Sequence, residues 1–236
     1  MSKRILGLFL VIFCCITSLA FAEESTPVQV ALWNPIQLFP ADYSVKGLRL
    51  NLFYTDNNNV SGLTISPGWA RTGGAMKGVD LGMVNWRDGE AYGAKFGLIN
   101  YTGKQSVGVE LGAVNVVEGD TTGVQLGIAN SNYGFVHGVE MGLYNYISGD
   151  FVGVQNGFLN VVNGDVSGVE FGFINSVKGN MTGFQGGLFN YAEKMNGLQF
   201  GLFNITESLD GMQIGLSNYA GKEEPMDWMT VVNWSF

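Results

Sequence analysis

Apolar and polar residues alternate along this chain in a pattern that returns with a period of about 15 residues. The octet Gly-h-x-h-Gly-h-h-Asn, in which h is apolar, occurs ten times, and its step shortens to 14 residues for the last two copies. The octets begin at Gly78, Gly93, Gly108, Gly123, Gly138, Gly153, Gly168, Gly183, Gly197 and Gly211. Ten copies in one register exclude coincidence, so the chain is a tandem repeat protein, with a degenerate earlier copy at Gly47.

We number the first glycine of each octet as position 0. Positions 1, 3 and 5 are apolar, position 2 is Asp, Lys, Glu or Gln, and position 4 is Gly. This alternation, with many branched and aromatic residues, is typical of a β-strand, and two glycines per octet disfavour a helix. Gly at position 11 and Asp or Asn at position 12 are turn residues. Each repeat therefore predicts about eleven strand residues and a turn of about four.

Position 2 alternates carboxylates with neutral amides through the middle of the array. The six residues are Glu110, Gln125, Glu140, Gln155, Glu170 and Gln185. Carboxylates on neighbouring strands, roughly 5 Å apart, would repel each other, whereas an intervening Gln can donate a hydrogen bond to Glu. Neighbouring repeats are therefore expected to be neighbours in space. The row is interpreted either as a polar ring that lines a lumen or as a solvated face.

Position 7 is Asn in every copy, and the chain ends in an aromatic strand. The asparagines are Asn85, Asn100, Asn115, Asn130, Asn145, Asn160, Asn175, Asn190, Asn204 and Asn218. The last segment places Trp228, Trp234 and Phe236 on one face. Such a strand is common at the end of bacterial outer-membrane barrels, where it pairs with the first strand. Strands of about eleven residues also match the roughly 9 to 11 that cross a membrane at a tilt.

These features predict an all-β fold with one domain over residues 23–236. Its parts are a repeat array at about 78–221, degenerate copies at about 45–77 and a closing strand at 228–236. The favoured architecture is an antiparallel barrel or radial ring of about twelve short strands or hairpins. The alternative is a parallel β-solenoid with one coil per repeat, in which the Asn row forms an internal ladder.

The N-terminus predicts export. Lys3 and Arg4 precede an apolar run, and small residues at Ala20 and Ala22 fit a signal peptidase site, so residues 1–22 are interpreted as a signal peptide. Cys14 and Cys15 both lie in this segment. The mature chain is therefore expected to lack disulfides and thiolate metal sites. The expected location is the outer membrane or cell surface, with the periplasm as the alternative.

Composition and charge narrow the function. Charged residues make up 14% of the 236 residues, below the roughly 25% of soluble domains, and Gly is in excess at 35. A net charge of −8 disfavours nucleic-acid binding, which needs clustered bases. His137 is the only histidine, which leaves too few groups for a zinc site or a Ser-His-Asp triad. We predict no catalytic residue, no metal site and no cofactor.

Several segments carry a family resemblance. WNPIQLFP at 33–40, KGLRLNLFY at 46–54, the tandem octets and the closing VVNWSF together resemble a family of surface repeat-containing proteins of Gram-negative bacteria. The resemblance covers roughly residues 30–236. It implies an exported envelope protein of unknown biochemical activity, related to the radial-hairpin folds called β-flowers. Asn156 and Gly186 at position 3, and the two 14-residue steps, depart from strict regularity.

Three functional hypotheses follow. The leading one is a non-enzymatic barrel or ring in or at the outer membrane. The first alternative is a periplasmic or surface module that binds a lipid or small amphiphile through aromatic residues. Those aromatics are Tyr101, Tyr144, Tyr146, Phe189 and Tyr191. The second alternative is a structural solenoid for protein contacts, whose partners the sequence does not identify.

Overall fold

A computed structural model describes residues 24–221 and 227–236. The predicted signal peptide, with Cys14 and Cys15, lies outside the described residues. Strands account for 76% of the structure, which confirms the all-β prediction for the described residues. The strands are β1 (Ser25–Trp33), β2 (Ile36–Gln37), β3 (Ser44–Asn51), β4 (Tyr54–Asn57), β5 (Val60–Thr72), β6 (Met76–Arg87), β7 (Ala91–Phe96), β8 (Ile99–Thr102), β9 (Ser106–Leu111), β10 (Val114–Val117), β11 (Thr121–Leu126), β12 (Ala129–Asn132), β13 (Val136–Met141), β14 (Tyr144–Ile147), β15 (Phe151–Val162), β16 (Val166–Phe200), β17 (Phe203–Ala220) and β18 (Trp228–Ser235).

The strands stack as a parallel β-solenoid of about 13 coils. Residues at the same position of successive repeats pair in parallel, so that Gly108 pairs with Gly123 and Gly123 with Gly138. The prediction of an antiparallel barrel or radial ring is wrong, because a barrel meander would reverse direction at every repeat. The alternative, one coil per repeat, is correct. The expectation that neighbouring repeats are neighbours in space is also met.

In some coils, such as those of β6, β15 and β16, the chain keeps its strand conformation through the turn. From β7 to β14, each coil instead contains two short strands, as β9 and β10 show. The first strand ends at position 3, the chain turns at positions 4 and 5, and the second strand runs from position 6 to position 9. Side chains at positions −2, 2, 7 and 9 point inward and are buried, whereas those at 1, 3, 5, 6 and 8 point outward. The polar side chain at position 2 therefore points into the solenoid, and the apolar side chains at positions 1, 3 and 5 point out of it.

The interior changes character along the axis. In the C-terminal half, positions −2 and 9 form a continuous apolar column that includes Ile147, Phe151 and Val162. In the N-terminal half, position −2 stays mostly apolar, but position 9 is polar, as at Thr72, Arg87 and Thr102. Position 2 adds the buried charges of Arg49, Asp80 and Lys95. The C-terminal interior is thus stabilised mainly by apolar burial at positions −2 and 9, whereas the N-terminal interior combines apolar burial with buried ion pairs and hydrogen bonds.

Position 0 requires glycine for a steric reason. The φ angles of the ten octet glycines lie between +127° and +149°, a region that residues with a side chain rarely adopt. A Cβ at these positions would lie 1.8–2.1 Å from the carbonyl oxygen of the preceding coil's glycine. The repeated glycine is what lets adjacent coils approach at strand spacing.

Both ends of the stack are covered by antiparallel strands. At the N-terminal end β2 pairs with β1, and the side-chain amide of Gln29 bonds both the N–H and the C=O of Phe39. At the C-terminal end β18 pairs antiparallel with the last coil, Asn233 opposite Gln213. The final strand therefore caps the last coil and does not pair with the first strand, as it would in a barrel. Capped ends leave fewer backbone groups open to pairing with another sheet.

Candidate functional site

The most distinctive surface of the molecule is an apolar edge where each coil turns at positions 4 and 5. We define this apolar edge as positions 1, 3, 5 and 6 of the ten octet repeats. Its large exposed side chains are Leu81, Met83, Phe96, Leu98, Ile99, Val114, Ile128, Met141, Leu143, Tyr144, Val154, Phe158, Phe171, Phe173, Phe189, Phe200, Leu202, Phe203, Met212 and Leu216. The edge runs along the whole array, because each coil repeats the same arrangement.

The apolar edge is convex. Position 5 lies at the apex of the turn and contains the most exposed apolar side chains, including Ile128 (59%), Leu143 (63%) and Leu216 (65%). Positions 1 and 3 lie on one flank and position 6 on the other, since they belong to the two strands that meet at the turn. We call the position 5 row the crest.

Charge is excluded from this edge. None of the residues at its four positions in the ten copies is charged, and the exceptions to apolar character are Asn156, Gly186 and Ser217. Exposed charges such as Glu118, Asp150 and Lys178 lie instead at positions 10 to 12, at the opposite turn of the coil. We call this second turn the polar edge. The solenoid is thus amphipathic across its width.

Tyrosine and tryptophan side chains mark one border between the two edges. They occupy position 8 in five of the ten repeats and its continuation in β18: Trp86, Tyr101, Tyr146, Tyr191, Tyr219 and Trp228. The other five repeats have Val116, Ser131, Val161, Ser176 and Ile205 at this position. The Trp86 indole N–H donates to Asp88 at 2.7 Å, and the Tyr146 hydroxyl accepts a hydrogen bond from Asn163 at 2.9 Å. Asp88 and Asn163 both occupy position 10 of their repeats. The ring bodies therefore border the apolar edge while their polar tips reach the polar side.

The predicted polar row at position 2 is a buried axial column. Gln155 donates to Glu140 at 2.8 Å and Gln185 donates to Glu170 at 2.9 Å, and Gln125 donates to Glu110 at 3.3 Å. All six side chains are buried. Neither sequence interpretation describes this column, because it neither encircles a lumen nor faces solvent. The amide-to-acid donation between adjacent repeats is present as expected.

Ion pairs continue the column toward the N-terminus. The Lys95 ammonium lies 2.7 Å from a Glu110 carboxylate oxygen, and Arg87 forms a buried ion pair with Asp80. Burial lowers the pKa of Lys95, and Glu110 opposes that shift. Burial by itself raises the pKa of Asp80, but the guanidinium groups of Arg87 and Arg49 outweigh it and lower that pKa. Burial and the nearby Arg87 lower the pKa of Arg49 to about 9.

In the part of the chain that the structure describes, Glu140 and Glu170 form no ion pair with a cationic side chain. Burial raises the pKa of Glu140 from its ordinary 4.5 to about 8 and that of Glu170 to about 7, although Gln155 and Gln185 donate to their carboxylates. Glu170 Oε1 and Gln155 Oε1 are both buried without a hydrogen-bond partner. Gln155 and Glu170 pair in register on adjacent coils. A proton on Glu170 Oε1 therefore supplies a hydrogen-bond donor to Gln155 Oε1, which gives both oxygen atoms a partner.

The asparagines of position 7 form a second buried column, the Asn ladder from Asn85 to Asn218. Asn130 Nδ2 donates to Asn145 Oδ1, and Asn145 Nδ2 donates to Asn160 Oδ1, both at 2.8 Å. Asn145 Nδ2 also donates to the backbone carbonyl of Asn156 at 2.9 Å. The ladder lies directly beneath the turn, where a Cβ on Gly112 would meet Asn100 Nδ2 at 2.7 Å. Position 4 glycine and position 7 asparagine therefore shape the apolar edge together.

We expect Asn145→Ala to lower the free energy of unfolding by about 2–4 kcal/mol, because it leaves a buried donor and a buried acceptor of its neighbours unpaired. Asn218→Ala, at the end of the ladder, should cost less, since Asn218 accepts from Asn204 and donates only to Gly215. Urea unfolding of both variants measures the difference. If both variants lose the same free energy of unfolding, the hydrogen bonds along the Asn ladder are not cooperative.

The remaining predicted residues lie apart from these columns. Trp228 pairs with Tyr219 and extends the aromatic border, while Trp234 pairs with Met212, a position 1 residue. Phe236 is 92% exposed, more than any other large apolar side chain among the described residues. His137 lies exposed near the ring of Phe135. The apolar edge was not predicted from the sequence, although the apolar residue at position 6, which breaks the strand alternation, was its signal.

Within residues 24–221 and 227–236, no three His, Cys, Asp or Glu side chains come together as metal ligands. No helix in that part of the chain has the length and apolar character to cross a bilayer. The chain matches no protein family model, no curated protein and no solved structure.

Proposed function

We propose that this chain is an exported, non-enzymatic binding module that places its apolar edge against an extended apolar partner. The observation that carries this proposal is the uncharged, largely apolar and solvent-exposed edge along ten repeats. It favours the lipid or amphiphile hypothesis over the barrel, whose architecture the solenoid replaces. The predicted signal peptide and the resemblance to surface repeat proteins support a place in the envelope.

The size of the edge supports a partner. Twenty large side chains, each roughly half exposed, present on the order of 1,500 Å² of apolar surface, several times the patch that an ordinary monomer leaves uncovered. Covering even a few of these side chains gains about 1 kcal/mol each, given that a full burial is worth roughly 2 kcal/mol. Such a surface in water favours association.

The titratable residues support a non-enzymatic role. Among the described residues, Asp80, Lys95, Glu110, Glu140 and Glu170 are buried in the solenoid interior and are engaged with one another or with amides. A catalytic acid or base must reach its substrate. These groups recur at one repeat position and serve the interior of the coil.

Charges placed on the crest test this function. We expect Ile128→Lys/Leu143→Lys/Phe158→Lys to weaken binding to nonionic detergent micelles about 100-fold or more, because each lysine removes an apolar contact worth about 1 kcal/mol or more. Tyr133→Lys on the polar edge is the matched control, since Tyr133 is half exposed like the crest residues. Micelle binding is measured by size exclusion and light scattering. Equal micelle binding by the crest variant and the parent chain would refute the proposed function.

A further inference from the structure

We infer that the partner of the apolar edge is the surface of a lipid bilayer, on which the solenoid lies with its axis parallel to the membrane plane. This inference rests on the proposed function and names the partner of the same surface. The crest side chains enter the acyl region, and the position 8 aromatics lie at the level of the headgroups. The polar edge remains in water.

The shape of the edge favours a fluid partner. The crest is convex, and six of its ten side chains are exposed by more than half, among them Ile128 and Leu143. Two rigid convex rods touch along a narrow line, which would leave the flanking positions 3 and 6 exposed in a dimer. A lipid surface deforms around the crest and covers both flanks. Convexity therefore favours lipid over a second copy of the chain.

The aromatic side chains at position 8 indicate how deeply the solenoid enters the bilayer. Tyrosine and tryptophan are enriched at membrane interfaces, where the ring contacts hydrocarbon and the polar atom contacts water or headgroups. Trp86 and Tyr146 have this orientation, since their polar atoms bond Asp88 and Asn163 on the polar side. In the five repeats with an aromatic residue at position 8, the order along the coil is crest, aromatic side chain, then polar edge. This order is the profile of an interfacial protein.

Charge fixes the orientation of the axis. The polar edge carries charged residues along the array, for example Asp120, Asp150 and Lys178. A solenoid that crossed the bilayer would bury these charges in hydrocarbon, which costs about 2–3 kcal/mol or more for each. Lying flat leaves all of them in water. With neighbouring strands about 4.8 Å apart, ten coils give a contact about 43 Å long.

The net charge identifies the kind of lipid surface. The chain carries a net charge of −8, so anionic headgroups repel it and added salt weakens that repulsion. We expect binding to vesicles of zwitterionic phosphatidylcholine that is insensitive to salt. Binding to vesicles with anionic lipid should be weaker at low salt and should recover as salt is added.

Single cysteines can measure depth, because the mature chain expected from signal peptide cleavage has none. We would attach an environment-sensitive fluorophore to Ile128→Cys, Leu143→Cys and Leu202→Cys on the crest, and to Asp165→Cys on the polar edge as the control. With phosphatidylcholine vesicles, acyl-chain quenchers should reduce the crest signals by similar amounts and leave the label at residue 165 unchanged. A quenching gradient from one end of the crest to the other would overturn the parallel orientation.

Two further outcomes separate this inference from the proposed function. Micelle binding without vesicle binding would overturn the bilayer and leave the proposed function intact. A lipid-free dimer in sedimentation, with the crest labels already shielded from aqueous quenchers, would overturn the bilayer in favour of a second copy. If the parent chain binds neither micelles nor vesicles, both the proposed function and the bilayer inference are refuted.

Discussion

Gly138→Ala is expected to prevent the solenoid from folding, or to lower its free energy of unfolding by more than about 4 kcal/mol. Gly138 has a φ of +149°, and a Cβ there would lie 1.9 Å from the carbonyl oxygen of Gly123. That oxygen belongs to the paired strand, so relief requires the two coils to separate and to lose interstrand hydrogen bonds. The loss approaches the roughly 5–15 kcal/mol that stabilises a typical protein.

Gly73→Ala is the matched control for this variant. A Cβ on Gly73 meets no atom within 4 Å, and its backbone is outside the left-handed region. Circular dichroism and urea unfolding of both variants give the comparison. If the free energy of unfolding of Gly138→Ala lies within about 1 kcal/mol of that of the parent chain, the close approach of adjacent coils at position 0 is contradicted.

Raising the pH from 5 to 9 is expected to destabilise the solenoid by several kcal/mol. The folded-state pKa values of Glu140 and Glu170, about 8 and about 7, are above the ordinary 4.5. An acid with a raised folded pKa contributes its full stability below the unfolded pKa, and loses it as the pH rises through the folded pKa. At about 1.4 kcal/mol for each unit, the two acids together cost on the order of 8 kcal/mol at high pH.

Glutamine substitutions identify the residues responsible. Glu140→Gln and Glu170→Gln should raise stability at pH 9 and flatten the pH profile between 5 and 9, since glutamine already occupies position 2 at Gln155 and Gln185. Glu118→Gln, on the exposed polar edge, is the control and should leave the profile unchanged. Urea midpoints across this pH range provide the measurement. A flat profile in the parent chain would show that neither buried acid gains a proton on folding.

The repeat period, the strand state and the contact between successive copies were predictable from the sequence. They follow from local features: the period-two alternation, the turn glycines and the acid-amide alternation at position 2. The hydrogen bond from Gln155 to Glu140, for example, follows from the repulsion that two carboxylates on adjacent strands would otherwise have. These features act within one repeat or between two, so a single sequence contains them.

The direction of the strands and the side that faces inward were not predictable. The turn residues at positions 11 and 12 serve a hairpin and a coil equally well, so they do not decide between antiparallel and parallel pairing. Alternation identifies two faces without saying which is buried. Here the narrow interior holds four side chains per coil, and two of them, at positions 2 and 7, gain stability from hydrogen bonds with the same position one coil away.

The prediction that the terminal strand closes a barrel was wrong for a related reason. Trp228 and Trp234 match an outer-membrane closing strand, but in the structure they continue the outward rows of the last coil while Asn233 continues the inward one. A strand that covers an end must reproduce the inside and outside of the coil that it covers. That requirement gives β18 the same alternation as a barrel strand.

The antiparallel caps at β2 and β18 make the number of repeats the only determinant of the length of the molecule. Because antiparallel strands cover both ends, duplication of an internal coil in the gene would lengthen the stack and leave both caps in place. Each duplication of one repeat inserts a rung that matches its neighbours at positions 0, 2 and 7, and it lengthens the crest by one strand spacing. Under the proposed function, each added repeat would extend the binding surface by the same increment, without a change to any single site.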